Sequence, residues 1–347
     1  MMSFHKHELD GLAVPAATAW LLAEIAEAKG RQELYIRQSP QVLKALRDMA
    51  LVQSVESSNR IEGVEVAPER LRPLVLGHAK PADRTEAELQ GYREALKLIH
   101  ADAAKLDVTP ALIQGFHKTI QAGSGDAGQW KRIDNEIVEL RPGAAPVVRF
   151  KPVSAKETPK AVEELCRAYR HTLDQTKVPP LLADALLVLD FLCIHPFRDG
   201  NGRVSRLLTL LALYQHGYEV GRYISLERLV EDAKEDYYAV LHRCSQSWHE
   251  GKHDWQPWVN FYLGIIHRAY RLFEERAGEV KTARGAKRMM VEDAIAGFAG
   301  RFTVTSLERA CPGVSRDMIR RVLRDLQQAG RVECLGRGPG AEWVKKG

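Results

Sequence analysis

The sequence predicts a mainly helical protein that ends in a small mixed α and β module. Three observations point there. Apolar residues recur at helical spacing through most of the chain. Proline and glycine stand where such helices would start and stop. β-prone runs are confined to one central stretch and to the C-terminal end.

The elements follow in order. PAATAWLLAEIAEAK opens on Pro15 and predicts a helix that stops at Gly30. VLKALRDMALVQSVESSNRIE predicts a second helix, ended by Gly63, and PERLRPLVLGH and TEAELQGYREALKLIHADAAK supply the next two. After ALIQGFHKTIQAG the texture changes. WKRIDNEIVELRPGAAPVVRFKPV carries short β-prone runs around a Pro-Gly turn and predicts a hairpin, roughly 132–140 paired with 146–151. Ser154 and Glu157 are spaced as a capping box ahead of KAVEELCRAYRHTL. Pro179 and Pro180 introduce an apolar helix over 181–194, and a second apolar helix begins near Arg203 and closes at Gly217. Helices are also expected near EDAKEDYYAVLHRCSQSWH and QPWVNFYLGIIHRAYRLFEER. The small, basic stretch AGEVKTARGAKR reads as a linker. Beyond it, VTSLERA and SRDMIRRVLRDLQQAG predict two helices separated by the turn CPGV, and RVECL and AEWVKK predict two strands around GRGPG. Helix, turn, helix and wing in that order suggest a winged helix-turn-helix. The domains are thus 1–107, 108–275, a linker at 276–290, and 291–347.

Composition narrows the class. Apolar residues make up 45% of the chain and charged residues 27%, as in an ordinary globular protein. MMSFHKHELDG lacks the basic-then-apolar pattern of a secretory signal. LLADALLVLDFLCI is broken by Asp184 and Asp190 and reads as a buried helix rather than a membrane span. Five scattered cysteines, none in a CxxC pair, favour free thiols and a cytoplasmic location. Residues 281–347 hold fourteen Lys and Arg against seven Asp and Glu, a larger surplus than the +5 of the whole chain. The basic character therefore belongs to the C-terminal module.

The chemistry concentrates in HPFRDGNGRVSRLL, residues 195–208. DGNG is a turn whose glycines let backbone amides converge at a helix N-terminus, which favours an anion. Arg203 and Arg206 fall in the first turn of that helix, where cations oppose the helix dipole, so a polyanion between them is expected. Asp199 beside a polyphosphate suits a divalent ion such as Mg²⁺. His195 is then a neutral base for an attacking hydroxyl. Together these residue types point to transfer of a phosphate-bearing group to an alcohol.

His195, Phe197, Asp199, Gly200, Asn201, Gly202, Arg203 and Arg206 match, in order, the signature HxFx(D/E)GNGRxxR, and the chain resembles the Fic (Fido) family over about 108–270. The resemblance implies a Fic-type helical core with the hairpin as a substrate-docking flap. It also implies transfer of AMP from ATP to a Tyr, Thr or Ser hydroxyl of a protein, with pyrophosphate released and Mg²⁺ as cofactor. On it His195 is the general base, Asp199 the metal ligand and Phe197 a buried anchor. Gly200, Asn201 and Gly202 cradle the α- and β-phosphates, and Arg203 and Arg206 meet the β- and γ-phosphates. Family members with lysine at the position of Gly202 phosphorylate instead. Tyr237 matches a tyrosine of the nucleoside pocket, whereas Ser245 stands where the family often has asparagine.

Upstream, SSNRIEG resembles the family's inhibitory motif (S/T)xxxE(G/N). Ser58 and Glu62 share one helical face and Gly63 ends the helix. Glu62 is expected to pair with Arg206 and occupy the place of the γ-phosphate. In some members the same glutamate positions a water that removes AMP, so a de-AMPylase is an alternative reading.

Two motifs compete. HEGKH, His249 to His253, satisfies the zinc-protease pattern, but Gly251 inside it and Pro257 after it argue against one helical turn. Arg316, Arg320 and Arg324 form a stripe that, with Arg337 at the wing tip, could contact DNA, which makes a transcriptional regulator the other alternative. The partners implied are a protein substrate, the chain itself as substrate, DNA, and a second copy in a homodimer; no membrane is expected.

Overall fold

The computed structural model describes residues 3–5, 13–36, 40–139, 147–175, 178–279, 283–298, 300–311, 314–336, 338 and 340–346. The architecture is mainly helical, as expected. The N-terminal helices are α1 (Ala16–Ile36), α2 (Pro40–Ile61), α3 (Pro68–Val75) and α4 (Arg84–Asp102). After α5 (Pro110–Ile120) comes an antiparallel hairpin of β1 (Ile137–Glu139) and β2 (Val147–Phe150). The central part continues with α6 (Thr158–Gln175), α7 (Pro180–Ile194), α8 (Asn201–Gln215), α9 (Leu226–Asp232), α10 (Lys234–Ser245) and α11 (Gln256–Glu279). The C-terminal module holds α12 (Ala283–Gly297), β3 (Phe302–Thr303), α13 (Val304–Ala310), α14 (Arg316–Gln328), β4 (Val332–Cys334) and β5 (Glu342–Lys345). Its three strands pair antiparallel in the order β3-β5-β4.

Helix α7 is the axis of the main core. Every residue from Leu181 to Ile194 is buried, which is why its sequence is apolar on all sides. Helices α6, α8 and α11 pack around it, and α1 lies along α11. The two aspartates that interrupt α7 are each satisfied. Asp184 accepts from Tyr169 at 2.8 Å and meets His216 Nδ1 at 3.1 Å. Asp190 accepts from the Ser3 backbone and hydroxyl and from Trp248 Nε1. Among the described residues, no helix is long and apolar enough to cross a membrane.

Several boundaries differ from the sequence reading. Helix α1 runs through Gly30 to Ile36. The glycine costs about 1 kcal/mol, but tertiary contacts outweigh it. Gln32 donates to Gly217 O and accepts from Tyr270, and Arg31 pairs with Glu274. The segment read as a linker is helical from Ala283, because α12 packs against α2 and α14. Residues 132–136 are not strand; Asn135 donates instead to Phe197 O in the loop after α7, and Asp134 accepts from Ala155 N. Residues 140–146 of the hairpin and Arg337 lie outside the described residues. Helix α9 was not anticipated. The C-terminal module has its own apolar core, built on Phe298, Leu307, Ile319, Val322 and Leu323, and Met49 of α2 belongs to it.

Candidate functional site

The site forms where α7 ends and α8 begins. His195 caps α7 in the left-handed region at φ 50°, ψ 60°, a conformation costly for a non-glycine residue. Its Nδ1 lies 3.3 Å from Leu192 O. A ring nitrogen can meet a carbonyl only as a donor, so in the neutral ring Nε2 is the proton acceptor. Burial, helped by the nearby Lys131 ammonium, pushes the His195 pKa down to about 4.

The loop that follows is internally locked. Phe197 N donates to Asn201 Oδ1 at 2.9 Å and Asn201 Nδ2 donates to Phe197 O at 2.8 Å. The Phe197 ring is fully buried and stacks on His117 at 3.8 Å. The Asn201 side chain thus faces inward to the loop. Gly200 adopts φ 78°, which suits glycine, and turns the chain into α8. That helix starts at Asn201 rather than near Arg203, so Arg203 is in its first turn and Arg206 in its second.

Both arginines are buried and partnered. Arg206 Nε donates to Ser58 Oγ at 2.8 Å. Its Nη2 donates to Ser58 O at 2.8 Å and to Glu62 Oε1 at 2.7 Å. Arg203 Nη1 pairs with Glu88 at 2.7 Å, and Nη2 reaches Asp199 Oδ2 at 3.4 Å. The polyanion expected between the arginines is replaced, in this conformation, by the carboxylates of Glu62 and Glu88. Glu62 lies against the start of α8, where a β-carbon on Gly202 would run into its Oε1. Gly63, at φ 79°, ends the segment that carries it.

Asp199 is the open group of the set, with its side chain 65% exposed. It accepts from the Gly200 N–H at 2.6 Å and from Gln121 Nε2 at 3.0 Å. Tyr237 is buried beside Trp258 and Phe261 and lines, with Ser205, Arg206 and Glu227, a largely apolar cavity behind the arginine. Ser245 is buried at the end of α10, its hydroxyl donated to His242 O at 2.9 Å.

Sequence reasoning missed four residues here. Glu88 holds Arg203, and Asn59 lies 3.4 Å from the same guanidinium. Tyr92 donates to the buried Glu227 at 3.0 Å beside Ser58. Lys131 clamps the loop around His195. Glu88 was detectable, because Glu88, Tyr92, Ala95 and Ile99 share the buried stripe of α4 and a carboxylate there needs a partner. Lys131, in an irregular segment, left no periodic signal.

The zinc-protease pattern is not assembled. His249 Nε2 meets Lys151 O, while His253 is buried against Ser3. His249 falls in a turn after α10 and His253 in the irregular stretch before α11, and no cluster of three ligands occurs among the described residues.

The Fic/DOC family model matches residues 107–213. A Fido domain-containing protein of Dictyostelium discoideum is 30% identical over 118 residues, which cover 33% of this chain and 78% of that protein. The chain belongs to the Fic/DOC family. Members of this family are generally enzymes that modify proteins, commonly by transferring AMP or other nucleotide-derived groups. Solved Fic structures share the fold. A Fic family protein from Desulfovibrio desulfuricans superposes with a TM-score of 0.59 at 22% identity, covering 97% of this chain and 98% of its own. A Fic domain signalling protein from Bacteroides thetaiotaomicron gives 0.62 at 23% identity, covering 74% and 98%.

The Fic site fits a magnesium-bound polyphosphate. Arg206 Nη1 and Arg203 Nε are buried without a hydrogen-bond partner, so the arginines have donors to spare. Asp199 offers a hard carboxylate oxygen of the kind Mg²⁺ takes alongside phosphate oxygens.

Proposed function

We propose that this Fic protein is a protein adenylyltransferase held shut by its own Glu62. The observation that carries the reading is the Glu62–Arg206 pair at 2.7 Å, four residues and one helical turn beyond the glycine nest. Arg206 would otherwise be a cation with three donors facing the end of a triphosphate. With Glu62 withdrawn, Arg206 and Arg203 hold the distal phosphates and the amides of Gly200, Asn201 and Gly202 receive the α- and β-phosphates. Asp199 would hold the Mg²⁺, whose charge, when bound, offsets that of the phosphates. His195 Nε2 takes the proton of the target hydroxyl as its oxygen bonds to the α-phosphorus, and the bond to the β-phosphate oxygen breaks to release pyrophosphate. Positioning and fixed charge supply most of the acceleration. Tyr237 lines the pocket for the nucleoside.

The test is to incubate wild type, Glu62→Gly and His195→Ala with ATP labelled at the α or γ position. Label reaching protein from the α position alone supports AMP transfer. Label from the γ position would indicate phosphorylation. Release of AMP from modified protein by the wild type, and not by Glu62→Gly, would favour the de-AMPylase alternative. The protein substrate carries a Tyr, Thr or Ser hydroxyl, with the chain itself as one candidate.

A second reading concerns the C-terminal module, taken as a winged helix-turn-helix. Arg320, Arg321 and Arg324 are exposed on the outer face of α14, while Ile319, Val322 and Leu323 fill the core. Arg316 is instead engaged by Glu308. Such a face suits DNA phosphates. In a gel shift with random duplex, affinity is expected to fall steeply with salt, and Arg320→Ala with Arg324→Ala should flatten that slope. Salt-independent binding would exclude the phosphate contact.

A further inference from the structure

Lys131 is the buried lysine of the active-site region. The residue is 5% exposed, although lysine normally keeps its ammonium in water. It lies between α5 and β1, in the segment that leads into the hairpin. Its Nζ donates to Ile194 O at 3.2 Å and to Asn135 Oδ1 at 2.9 Å. Its backbone N–H donates to Pro196 O at 2.9 Å. Those two carbonyls belong to the residues on either side of His195. Asn135 extends the grip, donating through Nδ2 to Phe197 O at 3.2 Å. One short segment therefore holds the carbonyls of Ile194, Pro196 and Phe197.

A histidine in the left-handed region is strained and persists only where its surroundings over-determine it. The helix that ends at Ile194 supplies one restraint, through the His195 N–H on Phe191 O. Further restraints on this turn come from the 131–135 segment and from Asn201. We infer that Lys131 is a positioning residue that fixes the backbone on both sides of His195 and so sets the orientation of the imidazole in the reaction. The inference rests on the reading of His195 as the proton acceptor.

The charge of Lys131 has a second effect. The groups facing His195 are Lys131, Glu62 and Asp199. Glu62 and Asp199 favour the imidazolium, whereas burial and Lys131 oppose it. Burial lowers the Lys131 pKa to about 8, while Asp134 opposes that shift. The ammonium is therefore present at and below neutral pH, where it discourages protonation of the base. The clamp and the charge are separable. Loss of the clamp lowers the rate at every pH, whereas loss of the charge moves the acid limb of the profile upward.

The experiment compares Lys131→Met and Lys131→Arg in the full chain carrying Glu62→Gly. It uses label transfer from α-labelled ATP, the KM for ATP, and an NMR titration of His195 in histidine-labelled protein. Methionine keeps the length but has neither donor nor charge. It is expected to lower kcat about ten- to a hundredfold, to leave the KM for ATP within about twofold, and to raise the His195 titration by about one pH unit. Arginine should restore both kcat and titration. An unchanged His195 titration and kcat in Lys131→Met overturns the inference, as does an arginine variant no better than methionine. A loss confined to KM and thermal stability also overturns it. If Lys131→Met does not fold, Lys131→Gln, which keeps a donor, is expected to shift the titration with a smaller loss of kcat, and no shift rejects the role. If the parent Glu62→Gly transfers no label, the transferase reading fails, and the titration alone still decides whether Lys131 governs His195.

Discussion

Replacing Glu62 by glycine is expected to raise transfer of label from α-labelled ATP to protein by about ten- to a hundredfold. That range follows from the 1.5–3 kcal/mol or so of a charge-assisted hydrogen bond, with each 1.4 kcal/mol worth about tenfold. The pair at 2.7 Å is short and well formed, and its guanidinium is buried. The same substitution is expected to cost stability when no nucleotide is present. Arg206 keeps Ser58 Oγ and Ser58 O, but a buried cation that loses its carboxylate is destabilised. Magnesium ATP should therefore raise the melting temperature of Glu62→Gly by more than it raises that of wild type, since only the variant offers Arg206 freely. Transfer no faster than the parent's, with ATP bound equally well by both, would remove the lock from the account.

His195→Ala is expected to reduce transfer by about two to four orders of magnitude, the usual contribution of a positioned general base. ATP affinity should stay close to the parent value, because the phosphate-facing groups come from α8 and the turn before it. The pH dependence sharpens this prediction. Burial and the Lys131 ammonium both disfavour imidazolium, so the ring sheds its proton at about 4 rather than at its ordinary 6.5. The acceptor form then persists from alkaline pH down to about 5 and disappears only as pH falls through about 4. In the Glu62→Gly background, kcat/KM should stay flat through pH 6.5. A limb centred on 6.5 would mean that His195 is solvated as an ordinary surface histidine, and that the geometry described for it is wrong.

Much of the site was legible because its residues are contiguous. His195 to Arg206 stand in one run, and one turn between two apolar helices brings them together. Ser58 and Glu62 could be placed because a four-residue spacing on a helix implies one face. The reach from Glu62 to Arg206, across 144 positions, came from the family resemblance and not from local pattern. What spacing could not show is how the arginines are satisfied. Arg203 and Arg206 look free in the sequence, and their opposition to the helix dipole suggested a bound anion. In the fold, Glu88 from α4 and Glu62 from the turn that follows α2 supply the negative charge instead. The helix through Gly30 was misplaced for a related reason. The contacts of Gln32 and Arg31 lie more than 180 positions away, and local propensity carries no trace of them.

Helix α2 has two clients. Its far end presents Ser58 and Glu62 to Arg206, while Met49 fills the core of the C-terminal module and Gln53 donates to Asp293 of α12 at 2.5 Å. The helix is therefore walled on one side by residues that lie beyond the Fic domain. A version of the chain trimmed after α11 would strip that wall, lay Met49 bare and leave the buried Arg72 without Asp293, its ion-pair partner at 3.7 Å. High turnover measured on such a fragment would reflect a helix adrift from its scaffold rather than native control, so activity comparisons belong on the intact polypeptide.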